Sequence, residues 1–445
     1  MNSTANRRQF VKSAAATVAA PFILPSKIWS AETKPNSQLG IGFIGMGKMN
    51  GGHLGGFLGR DDVKVLGVAE VHKFRRDEAV EKINKKYGNT DAKGYNNFEE
   101  LLARPDIDAV VIATPDHWHA ICGIAAANGK KHIYGEKPLT HNITEALKLV
   151  KAVRDNGITF QTGSQQRSSA EFRIACEIVR NGVIGKVDRI TTSFGDPAKP
   201  NAFPEQPMPE GLDWDRWCGP GPLVPYNEQL CERGKSEHFP AWRNTREFGG
   251  GMITDWGAHH IDIAQWGMGV DETGPVEVKA PADYANAKRG AQLVYANGVV
   301  LTHQEGFGVS FYGPDGEVHV NRGKFKVVLG GQTKYYYDSK DEAVKKATTL
   351  ARETTKAKND LLKDAKVKLY ETKGSHHDDF IQAVHSGNRP ICDVEVGATT
   401  VISCHLMNMG YWYGANIKWD PAKREFISGG DAKWLTREYR GNWKV

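Results

Sequence analysis

Two short stretches of the sequence bring together side chains that can transfer protons. The first is Glu136-Lys137-Pro138, which follows a glycine and the apolar run at residues 132–134. An apolar run that breaks into glycine and opposite charges predicts the end of a buried strand, and open parallel sheets bind ligands at the carboxyl ends of their strands. The proline fixes the turn, which favours a chemical role for the pair. An ordinary surface ion pair in a strand-ending turn is the alternative.

The second stretch spans residues 248–266, in which three glycines precede Asp255, His259 and Asp262. Spacings of four and three residues place these side chains on one face of a helix. A histidine between two carboxylates can take a proton while a carboxylate orients it and stabilises its charge. The alternatives are an acidic residue favoured by the helix N-terminus and a core histidine.

A nucleotide-binding turn is predicted at the end of the first predicted strand. That strand ends at Gly45 and Gly47, and a helix beginning with Lys48 and Met49 follows. Glycines here let a pyrophosphate approach the backbone, and the free N–H groups of the helix can bind it. Asn50 stands where the usual pattern has its third glycine, so this turn alone is a weak signal.

The next predicted strand, at residues 63–69, indicates which dinucleotide binds. It ends in Glu70, where a carboxylate accepts hydrogen bonds from the adenosine ribose hydroxyls. A carboxylate also repels a 2′-phosphate, so NAD is the expected cofactor. NADP remains an alternative because Lys73, Arg75 and Arg76 lie nearby.

A third strand, at residues 109–114, ends in a proline and two histidines. Thr114, Pro115, His117 and His119 are therefore expected beside the nicotinamide end of the cofactor, and a water-exposed cap is the alternative. Alternating strands and helices with short loops imply a parallel sheet with right-handed crossovers.

The glycine turn, residues 114–119 and the Glu-Lys-Pro motif together resemble the Gfo/Idh/MocA oxidoreductase family from about residue 38 to the end. The resemblance implies an α/β fold with two domains. Residues 38–162 would form a Rossmann-type parallel sheet, and residues 163–445 an α+β domain with a large, mostly antiparallel sheet. A homo-oligomer, either a dimer or a tetramer, is also implied.

The resemblance assigns roles to matching residues. Lys137, Asp255 and His259 would be catalytic: His259 takes a hydroxyl proton, Asp255 orients it, and Lys137 stabilises charge on oxygen. The expected cofactor contacts are Gly45, Gly47, Lys48, Met49, Glu70, Thr114, Pro115, His117, His119, Glu136 and Lys137. The residues expected to hold neighbouring substrate hydroxyls are Arg167, Arg243 and Asp262.

The expected activity is hydride transfer from a secondary hydroxyl of a sugar, glycoside or cyclitol to the nicotinamide. One alternative is a redox-neutral glycoside hydrolase or lyase that acts through a keto-sugar, as some family members do. Another is a non-catalytic sensor of a sugar or dinucleotide, and the combination of Lys137, Asp255 and His259 argues against it.

The remaining sequence predicts elements with less detail. Helices are expected at residues 170–181, 376–384 and 399–411, strands at 185–193, 291–295 and 299–303, and a helical insertion at 338–368. Residues 196–248 are rich in proline, glycine and tryptophan and predict a long loop. Its tryptophans either bind sugar faces or pack the loop down.

Bulk properties exclude several classes of protein. A chain of 445 residues is too long for one core. The net charge of +6 contains no basic block typical of nucleic-acid binding, and no apolar run approaches the roughly 18 residues of a membrane span. The six cysteines contain no CxxC pair, so neither a metal site nor a disulfide framework is expected, and they are interpreted as mostly buried thiols.

Residues 1–31 resemble a twin-arginine export signal. Arg7, Arg8 and Phe10 precede a weakly apolar run, although a basic disordered tail is the alternative. The expected location is the periplasm or another extracytoplasmic space, reached in the folded state. Because free NAD is scarce there, we expect the cofactor to be bound tightly before export.

Overall fold

The parallel sheet predicted from the first half of the sequence is present in the computed structural model, which describes residues 38–445. The expected export signal lies outside these residues. Six parallel strands are ordered β3-β2-β1-β4-β5-β6. The strands are β1 (Leu39–Ile44), β2 (Val63–Ala69), β3 (Lys93–Tyr95), β4 (Ala109–Ile112), β5 (His132–Gly135) and β6 (Phe160–Thr162). The strand order reverses between β1 and β4, and this is where open α/β sheets bind dinucleotides.

Five helices connect these strands and cover the sheet. They are α1 (Lys48–Leu58), α2 (Lys73–Tyr87), α3 (Phe98–Leu102), α4 (Asp116–Asn128) and α5 (Ile143–Asn156). Strands β1 and β4 are buried at every residue, as expected for parallel strands with helices on both faces. Helix α5 illustrates the local signals, because the Asn142 side chain caps its first turn and Gly157 ends it in a left-handed conformation.

The second half of the chain is built on a ten-stranded sheet, ordered β14-β13-β12-β11-β7-β10-β9-β8-β15-β16. Neighbouring strands are antiparallel except β7 and β10, which pair in parallel. The strands are β7 (Arg189–Thr192), β8 (Pro275–Lys279), β9 (Gln292–Tyr295), β10 (Val300–His303), β11 (Val309–Gly313), β12 (Gly316–Asn321), β13 (Lys324–Leu329), β14 (Gln332–Asp338), β15 (Ile417–Asp420) and β16 (Glu425–Ser428). The expected fold class is thus confirmed.

Eight helices follow β6 along the chain. They are α6 (Ala170–Arg180), α7 (Trp214–Cys218), α8 (Met252–Asp255), α9 (Gly257–Met268), α10 (Glu342–Ala347), α11 (Leu350–Leu361), α12 (His376–Ser386) and α13 (Val394–Tyr413). The predicted helical insertion is two helices rather than one, because Thr349 leaves the helical conformation and caps α11 with its side chain.

The long loop predicted at residues 196–248 contains only α7 and one 3-10 turn as helices. Its tryptophans mainly pack the loop down. Trp214 and Trp217 stack with their ring centroids 4.4 Å apart, and Trp217 meets Phe248 edge-on. Trp242 is also buried. Aromatic packing of this kind explains how a segment with little regular structure holds a defined shape.

All six cysteines are buried free thiols, as expected. Within residues 38–445, no helix has the length and apolar character needed to cross a bilayer. The same part of the chain contains no group of three or more His, Cys, Asp or Glu side chains arranged to hold a metal ion.

A buried ion pair fastens α9 to the chain that follows β6. Arg167 Nε lies 2.8 and 3.0 Å from the two carboxylate oxygens of Asp262, and Arg167 Nη2 lies 2.6 Å from Asp271 Oδ1. Thr400 of α13 donates its hydroxyl to Asp262 at 3.1 Å. Burial raises the pKa of Asp262 above its ordinary value, although the Arg167 charge opposes the shift. Removing one partner would leave the other charge buried without compensation.

We therefore expect Arg167→Met to lower the free energy of unfolding by about 3–5 kcal/mol at neutral pH. The control is Lys151→Met, which removes one partner of an exposed Lys151–Asp155 pair and should change stability by at most about 1 kcal/mol. Urea denaturation followed by fluorescence measures both values. Equal stabilities for the two variants would contradict a structural role for the Arg167 pair.

Candidate active site

A cleft of about 380 Å³ lies at the carboxyl ends of β1, β2, β4 and β5. Most of the residues singled out from the sequence line it. They are Gly45, Gly47, Lys48, Met49, Glu70, Thr114, Pro115, His119, Glu136, Lys137, Arg243, Asp255 and His259. His117, Arg167 and Asp262 do not line it.

The glycine turn at one end of the cleft fits a pyrophosphate. Gly45 has φ of +79°, and a Cβ atom there would lie 2.9 Å from the carbonyl oxygen of Ala113. A Cβ atom at Gly47 would meet no protein atom within 4 Å. Helix α1 begins at this point without a side-chain cap, so the N–H groups of its first turn are left to bind an anion.

Asn50 has a role that its sequence position did not reveal. Its side-chain amide donates hydrogen bonds to the carbonyl oxygens of Ile44 and Gly45, at 3.0 and 2.5 Å. Asn50, which replaces the third glycine of the usual pattern, therefore stabilises the turn through the hydrogen bonds of its side chain. The departure from the usual glycine pattern is compatible with a dinucleotide site.

Glu70 lies where the adenosine ribose is expected. Its carboxylate accepts hydrogen bonds from the backbone N–H groups of Met46 at 2.5 Å and His72 at 2.8 Å. These bonds fix an acidic group at the cleft wall, as NAD requires. Of the nearby basic residues, Lys73 pairs with Asp77, and Arg76 donates to the Glu70 carbonyl oxygen.

Residues 228–240, here called the clasp, border the same end of the cleft. Arg75 donates from Nη2 to the Glu232 carbonyl at 2.7 Å and from Nε to the Gly234 carbonyl at 2.8 Å. Lys48 donates to the Glu237 carbonyl, and its ammonium lies 5.2 Å from the centre of the Phe239 ring. The clasp residues that line the cleft are Leu230, Cys231, Ser236, Phe239 and Pro240. The long loop of the second half is thus tied to the dinucleotide-binding half through Arg75 and Lys48.

At the other end of the cleft, Lys137 and Asp255 form a close ion pair. Lys137 Nζ lies 2.5 Å from Asp255 Oδ1 and 3.2 Å from the Asp255 carbonyl oxygen. Arg243 Nε lies 3.7 Å from the same carboxylate oxygen. Burial alone would raise the pKa of Asp255, but the charges of Lys137 and Arg243 hold it below its ordinary value. Asp255 is therefore a carboxylate at neutral pH.

His259 lines the cleft but is not oriented by Asp255. Its Nδ1 atom is buried and has no hydrogen-bond partner within the described part of the chain. Burial, followed by the charges of Lys137 and Arg322, holds the pKa of His259 well below its ordinary value. The imidazole is therefore neutral at pH 7.

Asp255, His259 and Asp262 do not act together in the cleft. Helix α8 ends at Asp255 and α9 begins at Gly257, and of the three residues only Asp255 and His259 line the cleft. Asp262 is fully buried against Arg167. The geometry gives Arg167 and Asp262 a structural role in place of the expected contacts with substrate hydroxyls.

Glu136 is held by residues that are distant in sequence. His53 Nε2 lies 3.0 Å from Glu136 Oε1, and Gln165 donates to the same oxygen at 2.9 Å. Burial would raise the pKa of Glu136, but the hydrogen bond and charge of His53, together with Lys137, keep it below the ordinary value. No local signal in the sequence pointed to His53 or Gln165, because each meets Glu136 only through the fold.

The two histidines after β4 have different surroundings. His117 is fully buried, and its Nε2 atom lies 3.0 Å from the Trp217 carbonyl oxygen. Burial lowers the pKa of His117 to about 3. The expectation that His117 contacts the cofactor is therefore corrected: it packs against the aromatic loop. His119 lies at the cleft, with ring nitrogens 2.7 Å from the Pro138 carbonyl and 2.9 Å from the Thr114 carbonyl.

Two further side chains reach the cleft that the sequence did not single out. Asp116, the first residue of α4, lines the cleft and is only 3% exposed. Burial, followed by the Asp255 charge, raises the pKa of Asp116 to about 8. Arg322, between β12 and β13, lines the cleft with its guanidinium 4.7 Å from the centre of the Trp256 ring. The ten-stranded sheet thus contributes a cation to the site.

The sheet order, the glycine turn and the acidic residue after β2 together define a dinucleotide-binding α/β protein. Residues 39–164 match the family model described as an oxidoreductase family, NAD-binding Rossmann fold. Residues 197–445 match the one described as an oxidoreductase family, C-terminal alpha/beta domain. The chain therefore belongs to the Gfo/Idh/MocA oxidoreductase family, and its N-terminal half is an NAD-binding Rossmann domain.

Curated relatives are similar over part of their length. A myo-inositol 2-dehydrogenase of Thermotoga maritima is 30% identical over 160 residues, which cover 36% of this chain and 46% of that protein. An alpha-N-acetylgalactosaminidase of Shewanella oneidensis is 28% identical over 202 residues, which cover 41% of this chain and 44% of that protein. The matches thus span less than half the length of these relatives.

Solved structures share the fold over most of the chain. An aldose-aldose oxidoreductase from Caulobacter crescentus, complexed with glycerol, has a TM-score of 0.57 at 17% identity and covers 86% of this chain and 100% of its own. A levoglucosan dehydrogenase complexed with NADH and levoglucosan has a TM-score of 0.53 at 18% identity, with coverage of 89% and 100%. At these identities the likeness shows the fold alone.

The packing of Gly163 against Glu136 provides a test of the site. A Cβ atom at Gly163 would lie 2.5 Å from Glu136 Oε1, and hydrogen bonds hold that carboxylate in place. Overpacking of this kind typically costs about 1–3 kcal/mol. We expect Gly163→Ala to displace Glu136 and to weaken NAD binding about tenfold or more, measured by fluorescence titration of the cofactor-free protein.

The matched control for this substitution is Gly52→Ala in α1. A Cβ atom at Gly52 would meet no protein atom within 4 Å, and alanine favours the helix. Its affinity for NAD should equal that of the wild type. A Gly163→Ala protein that binds NAD as tightly as this control would show that the position of Glu136 does not matter for the cofactor.

Proposed function

We propose that this protein is an exported, nicotinamide-dependent oxidoreductase that takes a hydride from a secondary hydroxyl of a sugar, glycoside or cyclitol. The observation that carries the proposal is the ion pair of Lys137 with Asp255, at 2.5 Å, inside the same cleft as the glycine turn and Glu70. An ionised carboxylate and a lysine at the far end of a dinucleotide cleft suit the removal of a hydroxyl proton. The same pair argues against a protein that only senses its ligands.

The mechanism needs a hydride acceptor and a proton acceptor on the same side of the substrate. A bound NAD would supply the hydride acceptor, held by the α1 N-terminus, Glu70 and Glu136. Lys137 donates a hydrogen bond to the substrate oxygen and stabilises negative charge on it. Asp255 takes up the proton through the lysine, because the two side chains are already in contact. This assignment replaces the expectation that Asp255 orients His259.

His259 acts as a neutral hydrogen-bonding group in this arrangement. Its low pKa, which has burial as its main cause and Lys137 as a further one, keeps the imidazole unprotonated. Arg243 and Arg322 line the cleft beside it and can hold further substrate hydroxyls. Lys137, Arg243 and Arg322 therefore place three cations near the Asp255 carboxylate. They can stabilise the negative charge that forms on an oxygen of a polyhydroxylated substrate during the reaction.

The substrate class is supported by proteins similar to this chain. The names of two of them specify myo-inositol 2-dehydrogenase and levoglucosan dehydrogenase activities. Both substrates are cyclic polyols or sugar derivatives with secondary hydroxyls. We propose the same chemical class for this chain, with a homo-oligomer, either a dimer or a tetramer, as the working assembly.

Export and cofactor retention belong together in the proposal. The twin-arginine-like pattern within residues 1–31 supports transport of the folded protein to the periplasm. A protein that works where free NAD is scarce must keep the cofactor it carries. The clasp supports such retention, since Arg75 and Lys48 tie it to the dinucleotide-binding half at the adenosine end of the cleft.

A second candidate function is redox-neutral cleavage of a glycoside. Oxidation of a sugar hydroxyl acidifies the neighbouring C–H bond, so a substituent can be eliminated before the hydride returns. The similarity to proteins named glycosyl hydrolase family 109 and alpha-N-acetylgalactosaminidase favours this candidate. Release of the aglycone without net NADH distinguishes it from net oxidation.

Removal of either member of the Lys137–Asp255 pair tests the proposed mechanism. We expect Lys137→Met and Asp255→Asn each to lower kcat by about 10²–10⁴-fold, since proton transfer typically contributes that much. The measurement is single-turnover reduction of the bound nicotinamide by sugars and cyclitols, with retained NAD as a check on folding. Lys151→Met, at an exposed ion pair, is the control. Wild-type turnover in either site variant would contradict the mechanism.

The clasp predicts slow release of the cofactor. Hydrogen bonds to charged groups contribute about 1.5–3 kcal/mol, so we expect Arg75→Met to release NADH about tenfold faster or more. Stopped-flow fluorescence of the loaded protein measures the rate. Lys73→Met is the control because Lys73 carries the same charge on the same helix but pairs with Asp77. Equal release rates in both variants would contradict a role for the clasp in retaining the cofactor.

A further inference from the structure

Asp116 is a buried carboxyl group in the cleft that hydride transfer does not require. It lies at the first position of α4 and is 3% exposed. Its carboxylate accepts a hydrogen bond from the backbone of Gly250, in the glycine run before α8. No ion pair of Asp116 occurs within residues 38–445, although many buried carboxylates elsewhere in the chain have one.

The charged groups facing Asp116 come from three separate elements. They are Asp255 at the end of α8, Arg243 in the 3-10 turn at 241–244, and Lys137 after β5. Asp255 is paired with Lys137 and lies near Arg243, so its negative charge is compensated and its pKa is low despite burial. Asp116 lacks such a partner, and burial together with the Asp255 charge raises its pKa to about 8. At neutral pH the Asp255 carboxylate and the Asp116 carboxylic acid therefore lie in the same cleft.

Acid–base sites typically contain two carboxyl groups whose surroundings shift their pKa values in opposite directions. Net oxidation of an alcohol moves only one proton from the substrate, and the Lys137–Asp255 pair already accepts it. Elimination of a substituent needs a second proton, which must reach the departing oxygen. The acid is thus superfluous for simple dehydrogenation and is required for cleavage.

We propose that Asp116 is the catalytic acid that protonates the departing oxygen when this site eliminates a substituent next to a keto-sugar carbonyl. The inference deepens the second candidate function and rests on it. It assigns to the site a substrate class, namely a glycoside or another sugar with an oxygen substituent on the carbon next to the acidified C–H bond.

The proposed step balances in protons and electrons. After oxidation of the hydroxyl, the C–H bond beside the carbonyl gives its proton to neutral His259, and its electron pair forms the C=C bond. The C–O bond to the substituent breaks, its electron pair stays on the oxygen, and Asp116 supplies the proton that completes the alcohol. Water then adds across the C=C bond: its hydroxyl joins the carbon that lost the substituent, its remaining proton returns to Asp116, and protonated His259 gives its proton back to the neighbouring carbon. A bound dinucleotide would return the hydride, and the Lys137–Asp255 pair would return the hydroxyl proton.

The dependence on the leaving group tests this role. The probes are 4-nitrophenyl and methyl glycosides of glucose, galactose, N-acetylglucosamine and N-acetylgalactosamine, in both anomers. A nitrophenolate leaves without a proton, whereas methoxide does not. We expect Asp116→Asn to cleave methyl glycosides about 10²–10⁴-fold more slowly and 4-nitrophenyl glycosides at close to the wild-type rate. Equal losses on both kinds of glycoside would overturn the role, because a merely structural defect affects both.

The pH profile and an infrared titration give readouts of a different kind. Only the protonated form of Asp116 can donate, so cleavage of methyl glycosides by the wild type should fall as pH rises through about 8. The carbonyl stretch of one carboxylic acid per chain should disappear over the same pH range in the loaded protein. Asp116→Asn should lack both effects. A wild-type protein without a carboxylic acid that titrates in this range would contradict the inference.

Failure of the inference and failure of the proposed function give different results. Sugars that reduce the bound nicotinamide, together with glycosides that release no aglycone, would overturn the role of Asp116 and leave the dehydrogenase proposal intact. A wild-type protein that retains NAD but accepts hydride from none of the sugars would instead contradict the proposed function, and the infrared titration would still decide the protonation state of Asp116.

Discussion

The contact between Lys137 and Asp255 is the interaction on which the site depends, because it joins the two halves of the molecule inside the cleft. Lys137 follows the strand β5 of the parallel sheet, and Asp255 ends a short helix of the second half. Both side chains are largely buried, with 14% and 13% of their surfaces exposed. Breaking such a pair leaves a buried charge without compensation, which is strongly unfavourable. The energetic need to keep the pair together therefore also fixes the position of the proton-transfer groups.

Charge compensation explains the different chemistry of neighbouring side chains. Asp255 keeps its negative charge because the charges of Lys137 and Arg243 lower its pKa despite burial. The pKa of Asp116 is raised, mainly by burial and next by the charge of Asp255. Burial, followed by the charges of Lys137 and Arg322, lowers the pKa of His259 and keeps it neutral. The surroundings thus leave Asp255 and His259 without a proton and Asp116 with one. At the opposite end of the cleft, the backbone N–H groups of Met46 and His72 hold the Glu70 carboxylate in place.

The family resemblance implied the mostly antiparallel second sheet, whereas sequence patterns predicted the parallel sheet and most of the residues that line the cleft. These predictions rest on local signals: apolar strands that end in glycine, an acidic residue after β2, and the Glu-Lys-Pro turn. The errors have a common physical cause. Helical spacing placed Asp262 among the groups that meet the substrate, but its carboxylate pairs with buried Arg167 and does not line the cleft. His53 and Arg322 were missed because only the tertiary fold brings them to the site. Asp116 lies between two predicted site residues, Pro115 and His117, but the sequence does not reveal its burial.

The central claim, hydride transfer to a nicotinamide that the protein carries, is tested most directly by mass spectrometry of the cofactor released on denaturation. The purified protein is first incubated with a panel of hexoses and cyclitols, without added NAD. We predict close to one NAD(H) per chain, with NADH replacing NAD when a substrate is present. A protein that releases no nicotinamide dinucleotide, and retains none after incubation with NAD or NADP, would contradict the account.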